Sequence, residues 1–370
     1  VTLTTGGATT SLLPSSPIYF SFTTTPTTVT ITRPNIPSPG PTMVSYYTSS
    51  AFYTKLPPVP ALAVLSAVWL ADQSPSSFDS FTIDETQTSP NDGGDPIYSG
   101  SGAGLALKVS CSKQTYSAYT CAHQPNSPNL DGVVVTSCYP GVIPEIGSDH
   151  HVACIDIVRG VEDDFWDASP FPTAAGTYAV GGAGECALGG PGIGCSGSTA
   201  TDLPLSLGLI DPNALLLCMQ STDASCTLGH AISMALKCND SAYVSPAAAS
   251  DGQCGAGLGS AGNRVPEGTR FFLNMTDAQI NALYPPSSYE AIVYRTIDVQ
   301  HYGAFDRDSS WSGAAGFNFQ VAGWQPYGTA NDPWRTVASL SGMPFSPTMV
   351  FTFTMPHPPI VFCNVAACDK

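Results

Sequence analysis

HVACIDIV, from His151 to Val158, is the stretch on which the fold class turns. Apolar and β-branched residues in period two read as a strand, and the run is too short for an amphipathic helix. The same signal recurs on either side. Before it come Leu105 to Val109 and Val133 to Thr136; after it come Tyr178–Val180, Ala231–Leu236, Phe271–Leu273 and Val350 to Thr354. Helix signals are few. Ala61 to Leu70 follows a proline stop, and Asp211-Pro212-Asn213 offers an N-cap with proline at the first helical position. Thr276 followed by Gln279 has the capping-box spacing, and a third helix spans about Ser288 to His301, before Gly303. Short strands with few helices predict a mainly β fold, a β-sandwich or jelly roll stabilised by disulfides.

Composition narrows the function classes. Among 370 residues only 11% are charged, while Gly and Pro number 35 and 33. Lys and Arg total 12 against 28 Asp and Glu, a net charge of −16. Nucleic acid and anionic membrane both require clustered positive charge, so neither is an expected partner. No apolar run is long enough to span a bilayer.

The twelve cysteines are Cys111, Cys121, Cys138, Cys154, Cys186, Cys195, Cys218, Cys226, Cys238, Cys254, Cys363 and Cys368. An even count in a Gly/Pro-rich chain predicts disulfides, at least five of them, and an oxidising, extracellular location. Zinc is disfavoured because no C-x-x-C pair occurs. Close spacing suggests Cys111–Cys121, Cys186–Cys195 and Cys363–Cys368; the other six stay unassigned. The start at Val1, without Met or a signal peptide, reads as a mature secreted form. Asn239 and Asn274 head two N-glycosylation sequons.

The N-terminus differs from the rest. Its first 32 residues hold twelve Thr, and no acidic residue precedes Asp72. Ile18, Phe20 and Phe22 alternate, as do Val29 and Ile31, which predicts strands over 17–23 and 27–33. A Pro-rich connector follows over 34–42, so the chain divides into a Thr/Pro-rich strand segment, 1–42, and a β-rich globular domain, 43–370. With no charge to block edge pairing, Ile18, Phe20 and Phe22 are candidate assembly residues for strand addition between subunits. An intramolecular strand completing the sandwich is the alternative.

Between about 145 and 340 several segments stand out: Ser148-Asp149-His150-His151 with Ile155-Asp156, Asp163-Asp164-Phe165-Trp166, and Gly229-His230-Ala231. Val265 to Phe271, Tyr302-Gly303 with Asp308, and Asn331-Asp332-Pro333-Trp334 complete the set. In these segments and their order the chain resembles a family of secreted bacterial β-rich proteins without an assigned activity. The resemblance implies secretion and a β-rich fold, and no chemistry.

Two constellations are candidates for chemistry. Asp149, His151, His230 and Asp308 could form a general acid–base set, since a histidine between carboxylates titrates near neutrality. The bland reading is that His151 and His230 are buried residues that order loops. Glu162, Asp163, Asp164 and Asp167 are hard oxygen donors dense enough for Ca²⁺, against the reading of a solvated acidic loop with Trp166 in the core. No G-x-S-x-G nucleophile elbow occurs, and the Gly-rich runs near 181–197 lack a phosphate-loop lysine. The expected function is that of an extracellular structural or assembly protein, forming a surface layer or fibre by self-association. The alternatives are a polysaccharide lyase or glycoside hydrolase working through the His/Asp set, and a sugar-binding module, either with an extracellular glycan as partner.

Overall fold

The computed structural model describes residues 2–5, 8–11, 30–32, 47–58, 80–84, 97–100, 104–113, 130–138, 150–169, 174–195, 198–236, 239–250, 264–308, 317–320, 350–354 and 360–362, with isolated positions between them. Nineteen strands, β1 to β19 in chain order, and three α-helices form among these residues. The fold is mostly β with mixed sheets.

The His151 stretch builds the centre. β8 (Val152–Asp156) pairs antiparallel with β9 (Val161–Trp166) as a hairpin. The strand stops two residues before Val158 because Asp156 turns the chain. Its Oδ1 accepts from the backbone N–H of Val158 and of Arg159, both at 3.0 Å, and Gly160 follows in the left-handed region at φ 71°. Ile157 and Val158 are left exposed on that turn. β5 (Ile97–Gly100) adds in parallel to β8, and β11 (Gly182–Ala187) antiparallel to β9, giving the order β11-β9-β8-β5.

One face of this sheet carries Val152, Cys154, Phe165 and Ala183 into a core shared with a second sheet. There β6 (Leu107–Ser110) lies between β7 (Val134–Val135) and β10 (Gly176–Ala179). The other face presents Cys186 to Tyr47, Phe52, Leu203, Leu207 and Phe305.

A seven-stranded sheet forms the second layer, in the order β18-β4-β17-β12-β16-β15-β19. Its strands are β4 (Ser80–Asp84), β12 (Ile232–Ala235), β15 (Arg270–Leu273), β16 (Ala304–Asp308), β17 (Phe317–Gln320), β18 (Val350–Thr354) and β19 (Ile360–Phe362). Against it pack α1 (Pro212–Gln220), α2 (Asp277–Leu283) and α3 (Tyr289–Ile297), through Leu215, Ile280, Ile292 and Tyr294. The capping box at Thr276 is present in full: the side chain accepts from Gln279 N, and the Gln279 side chain accepts from Thr276 N. α3 ends at Ile297, four residues before His301, because Asp298 leaves helical geometry.

Gly208, at φ 79°, lets the segment before β12 approach closely; a Cβ there would overlap Ser233 Oγ and the Phe52 ring. Arg270 is fully buried, with its guanidinium donating to the Tyr302 and Thr54 carbonyls and lying 5.0 Å above the Phe305 ring. A buried cation is tolerated when its N–H groups are matched in this way.

The sheets do not close into the expected sandwich or jelly roll. Five neighbouring pairs are parallel: β5/β8, β6/β10, β4/β17, β12/β16, and β13 (Asn239–Tyr243) with β14 (Val265–Glu267). Each parallel pair needs a long crossover, which the antiparallel jelly roll lacks. Sequence periodicity gives strands but not their direction, and that is where the expectation failed.

At the N-terminus β1 (Thr2–Thr5) pairs antiparallel with β2 (Ala8–Ser11) and β3 (Thr30–Thr32), forming a separate three-stranded sheet. The strand expected over 27–33 is met by β3. The one over 17–23, with Ile18, Phe20 and Phe22, lies outside the described residues, as does most of Ala61 to Leu70. No helix among the described residues is long and apolar enough to cross a membrane.

Three disulfides join described residues: Cys138–Cys154, Cys186–Cys195 and Cys218–Cys226. The middle one is the local loop expected from spacing. The other two come from the six cysteines left unassigned. Cys111 is also disulfide-bonded, and no described cysteine is free. Cys121, Cys238, Cys254, Cys363 and Cys368 lie outside the described residues.

Candidate functional site

Glu162, Asp163 and Asp164 are not a loop but the middle of β9, and all three are fully buried. Strand geometry sends neighbours to opposite faces. Glu162 and Asp164 point to the Tyr47/Leu203 side. There Glu162 accepts from Tyr47 Oη at 2.8 Å, Ser206 N at 2.9 Å and Ser206 Oγ at 2.5 Å, and Asp164 accepts from Leu205 N at 2.9 Å. Asp163 points to the other face, where Ser137 Oγ donates to it and Arg159 Nη1 lies 3.4 Å away. Arg159 also donates to Glu185, the partner of Asp163 in the β9–β11 register, at 2.6 Å.

Burial pushes the Asp163 carboxyl up to about 7, with the Ser137 hydrogen bond and Arg159 opposing the rise and Glu185 adding to it. The Ca²⁺ expectation is therefore corrected. Alternation splits the three acids between two faces, and Asp167 lies beyond the strand, 3.9 Å from Lys113 Nζ. Trp166 is only half-buried. The stretch reads as a loop in sequence because both faces of its sheet are covered, so the polar–apolar alternation of a half-exposed strand is missing.

The His/Asp set is spread over two sheets. His151 is buried immediately before β8 of the four-stranded sheet. His230 precedes β12 of the seven-stranded sheet, its Nδ1 2.7 Å from the Ala231 carbonyl and its ring 5.5 Å from that of Tyr53. Burial lowers the His230 pKa, opposed by the Ala231 contact. Asp308 ends β16, opposite Ala235 at a register shift, and Asp149 lies outside the described residues.

The sequons also part company. Asn274 is exposed after β15. Asn239 is wholly buried, with Nδ2 3.4 Å from Glu267 Oε1, so the folded chain has no room for a glycan there. That expectation is corrected: the motif fixes a tripeptide, not its exposure.

A constellation absent from the sequence reading forms where α2 and α3 meet. Asp277 is the first residue of α2, Asp298 caps the C-terminus of α3, and His301 follows in the turn. Their ligand-type atoms all lie within 4.8 Å of one another. His301 Nε2 is 3.2 Å from both Asp277 oxygens. Asp298 is wholly buried; its Oδ1 accepts from Gln300 N at 2.8 Å, while Oδ2 has no hydrogen-bond partner. Burial, then a side-chain hydrogen bond with Asp277 and its charge, pushes Asp298 up to about 8, with the Gln300 amide and Arg295 opposing the rise.

Backbone bonds fix the corner. Val299 N donates to Leu273 O at 2.9 Å, Leu56 N to His301 O at 2.7 Å, and His301 N to Asp298 O at 3.2 Å. A signal was available in the sequence. An aspartate at a helix C-terminus opposes the helix dipole, and Asp298 has a histidine three residues on. Sequence reasoning used Thr276 and His301 only to mark helix ends.

Comparison with protein-family models, with curated proteins and with solved structures gives no match to this chain.

Proposed function

We propose that this chain is a secreted, disulfide-stapled extracellular protein with a structural role. The observation that carries the reading is the distribution of its bridges. Cys138–Cys154 lies in the core of the four-stranded sheet, Cys186–Cys195 in the cluster beneath Tyr47 and Phe52, and Cys218–Cys226 in the core of the helical layer. A staple in each of these three cores, with the bonded Cys111 packed against the first as well, suits a chain that works where thiols are oxidised.

The assembly part of the proposal rests on the N-terminal sheet. β2 and β3 are its outer strands, and neither carries a charged residue to discourage strand addition. Mass measurement after thiol alkylation, with and without reductant, tests the oxidised state; four or more free thiols would remove the secreted reading. Light scattering of the intact chain and of a chain lacking residues 1–33 tests assembly. Self-association is expected to disappear with the deletion. An intact chain that stays monomeric at high concentration ends the assembly reading.

A further inference from the structure

We propose that Asp277, Asp298 and His301 form a binding site for a first-row divalent transition-metal ion, with Zn²⁺ as the reference ion. The proposal goes beyond the structural reading and does not depend on it. Two features point to a cation. The first is geometric. Around a tetrahedral ion with bonds of about 2.0–2.1 Å, neighbouring ligand atoms stand about 3.3 Å apart. His301 Nε2 lies 3.2 Å from each Asp277 oxygen, an ion-pair contact of that same length, and an Asp298 oxygen stands within 4.8 Å of both, so a small inward shift of Asp298 would complete the set.

The second is an unanswered carboxylate oxygen. Asp298 is 0% exposed, and its Oδ2 meets no N–H or hydroxyl donor; the side chain's other neighbour is a second acid, Asp277, with which it can hydrogen-bond only by holding a proton. A bare carboxylate oxygen in the interior costs free energy unless a proton or cation meets it. Its place at the C-cap adds the negative end of the α3 dipole to the same spot. The nearby guanidinium of Arg295 meets Asp277 and Asp298 by charge alone, its hydrogen bonds going to the Cys226 and Pro286 carbonyls and to Asn281 Oδ1. A divalent ion would balance the two carboxylates of Asp277 and Asp298 in one step.

The donor set chooses among ions. One imidazole with two carboxylates suits zinc and its neighbours. Ca²⁺ takes six to eight oxygen ligands, which one nitrogen and two carboxylates do not approach. The Asp277 side chain is 22% exposed and that of His301 12%, so the corner opens to solvent on their side, where water would supply the fourth ligand. Bound metal would tie the start of α2 to the end of α3.

The test uses the oxidised full chain, stripped with a chelator and titrated calorimetrically with ZnCl₂, then with CaCl₂. One high-affinity Zn²⁺ per chain is expected, and no Ca²⁺ uptake at that site. Zinc should also raise the melting temperature by mass action. In His301→Gln and Asp277→Asn, affinity should fall by roughly 100-fold, the upper end of what even an outer-sphere partner costs, and the zinc-dependent melting shift should vanish. Zinc-edge X-ray absorption of the wild type should count one imidazole among the ligands, a readout that survives if a variant misfolds. Absence of a stoichiometric site, variants that bind as wild type, or a ligand set with no imidazole or with several would overturn the proposal. The corner would then be a carboxyl pair sharing a proton beside His301.

Discussion

The β9 strand and the α2–α3 corner both bury carboxylates, and they differ in how many hydroxyl, amide and guanidinium donors each carboxylate receives. On β9 the neighbours are donors: Tyr47, Ser137 and Ser206 hydroxyls, the Leu205 and Ser206 amides, and Arg159. At the corner, Asp277 faces the ring nitrogen of His301, and Asp298 has one backbone donor, Gln300 N, and otherwise shares a hydrogen bond with the second acid, Asp277; an oxygen without an N–H or hydroxyl donor is common to both places, Asp163 Oδ1 on β9 and Asp298 Oδ2 here. Residue type is the same in both places. The neighbours make the first a structural brace, whereas the second sets two acids against each other beside a histidine. A run of acids in sequence is therefore a poor guide to a metal site; the supply of donors decides.

The comparison breaks most visibly at Glu162. Glu162→Ala would strip the acceptor from Tyr47 Oη, Ser206 N and Ser206 Oγ. An orphaned buried donor costs about 1–3 kcal/mol, so a loss of about 4 kcal/mol in urea unfolding is expected. A loss below about 1 kcal/mol would show that β9 is not braced by its acids. Next in size, replacing both Cys138 and Cys154 by Ser, in a bridge of sequence separation 16, should cost about 3 kcal/mol. Thermal unfolding with and without reductant checks it, since the variant should lose most of its response to reductant at that bridge.

Acid titration sharpens the same contrast. Asp163 is raised from 3.8 to about 7, and Asp202, wholly buried, from 3.8 to about 8, in both cases mainly by burial. Between those values the native state keeps protons that the unfolded chain has released. Their contribution is thus fully present below about pH 4 and is lost as pH rises through about 7 to 8. Melting temperature should fall from pH 4.5 to pH 8, and Asp163→Asn should flatten the part of the fall below pH 7. A wild-type melting temperature that rises across this range would contradict the buried-carboxyl account.

The smallest effect is expected at the cap that positions Asp277. Thr276→Ala removes the side-chain acceptor of Gln279 N and should cost about 1 kcal/mol, read as a small shift in the urea midpoint.

Local signals were legible where local physics decides. The capping box at Thr276, the Asp211-Pro212 helix start and the strand near His151 all follow from a few adjacent residues. The Cys186–Cys195 loop was legible for the same reason. Pairing was not. Cys138 meets Cys154 because β8 brings Cys154 into the core beside the β7 edge, a matter of three dimensions. Parallel strand order was hidden for the same cause. The acids of β9 were misread because burial on both faces removes alternation. The corner was missed because Asp277 and Asp298 are 21 positions apart in sequence and meet only through helix packing.

The seven-stranded sheet has β18 on one edge and β19 on the other, the last two described strands in chain order. Its middle is laid down by residues from Ser80 to Gln320, and both borders arrive afterwards. During synthesis, a chain halted before Val350 would leave β4 and β15 as raw edges on either side of an assembled sheet. Unpaired edges invite pairing with other chains. A chain cut before Val350 should thus yield aggregates, and β18 and β19 are the strands that cover the two raw edges.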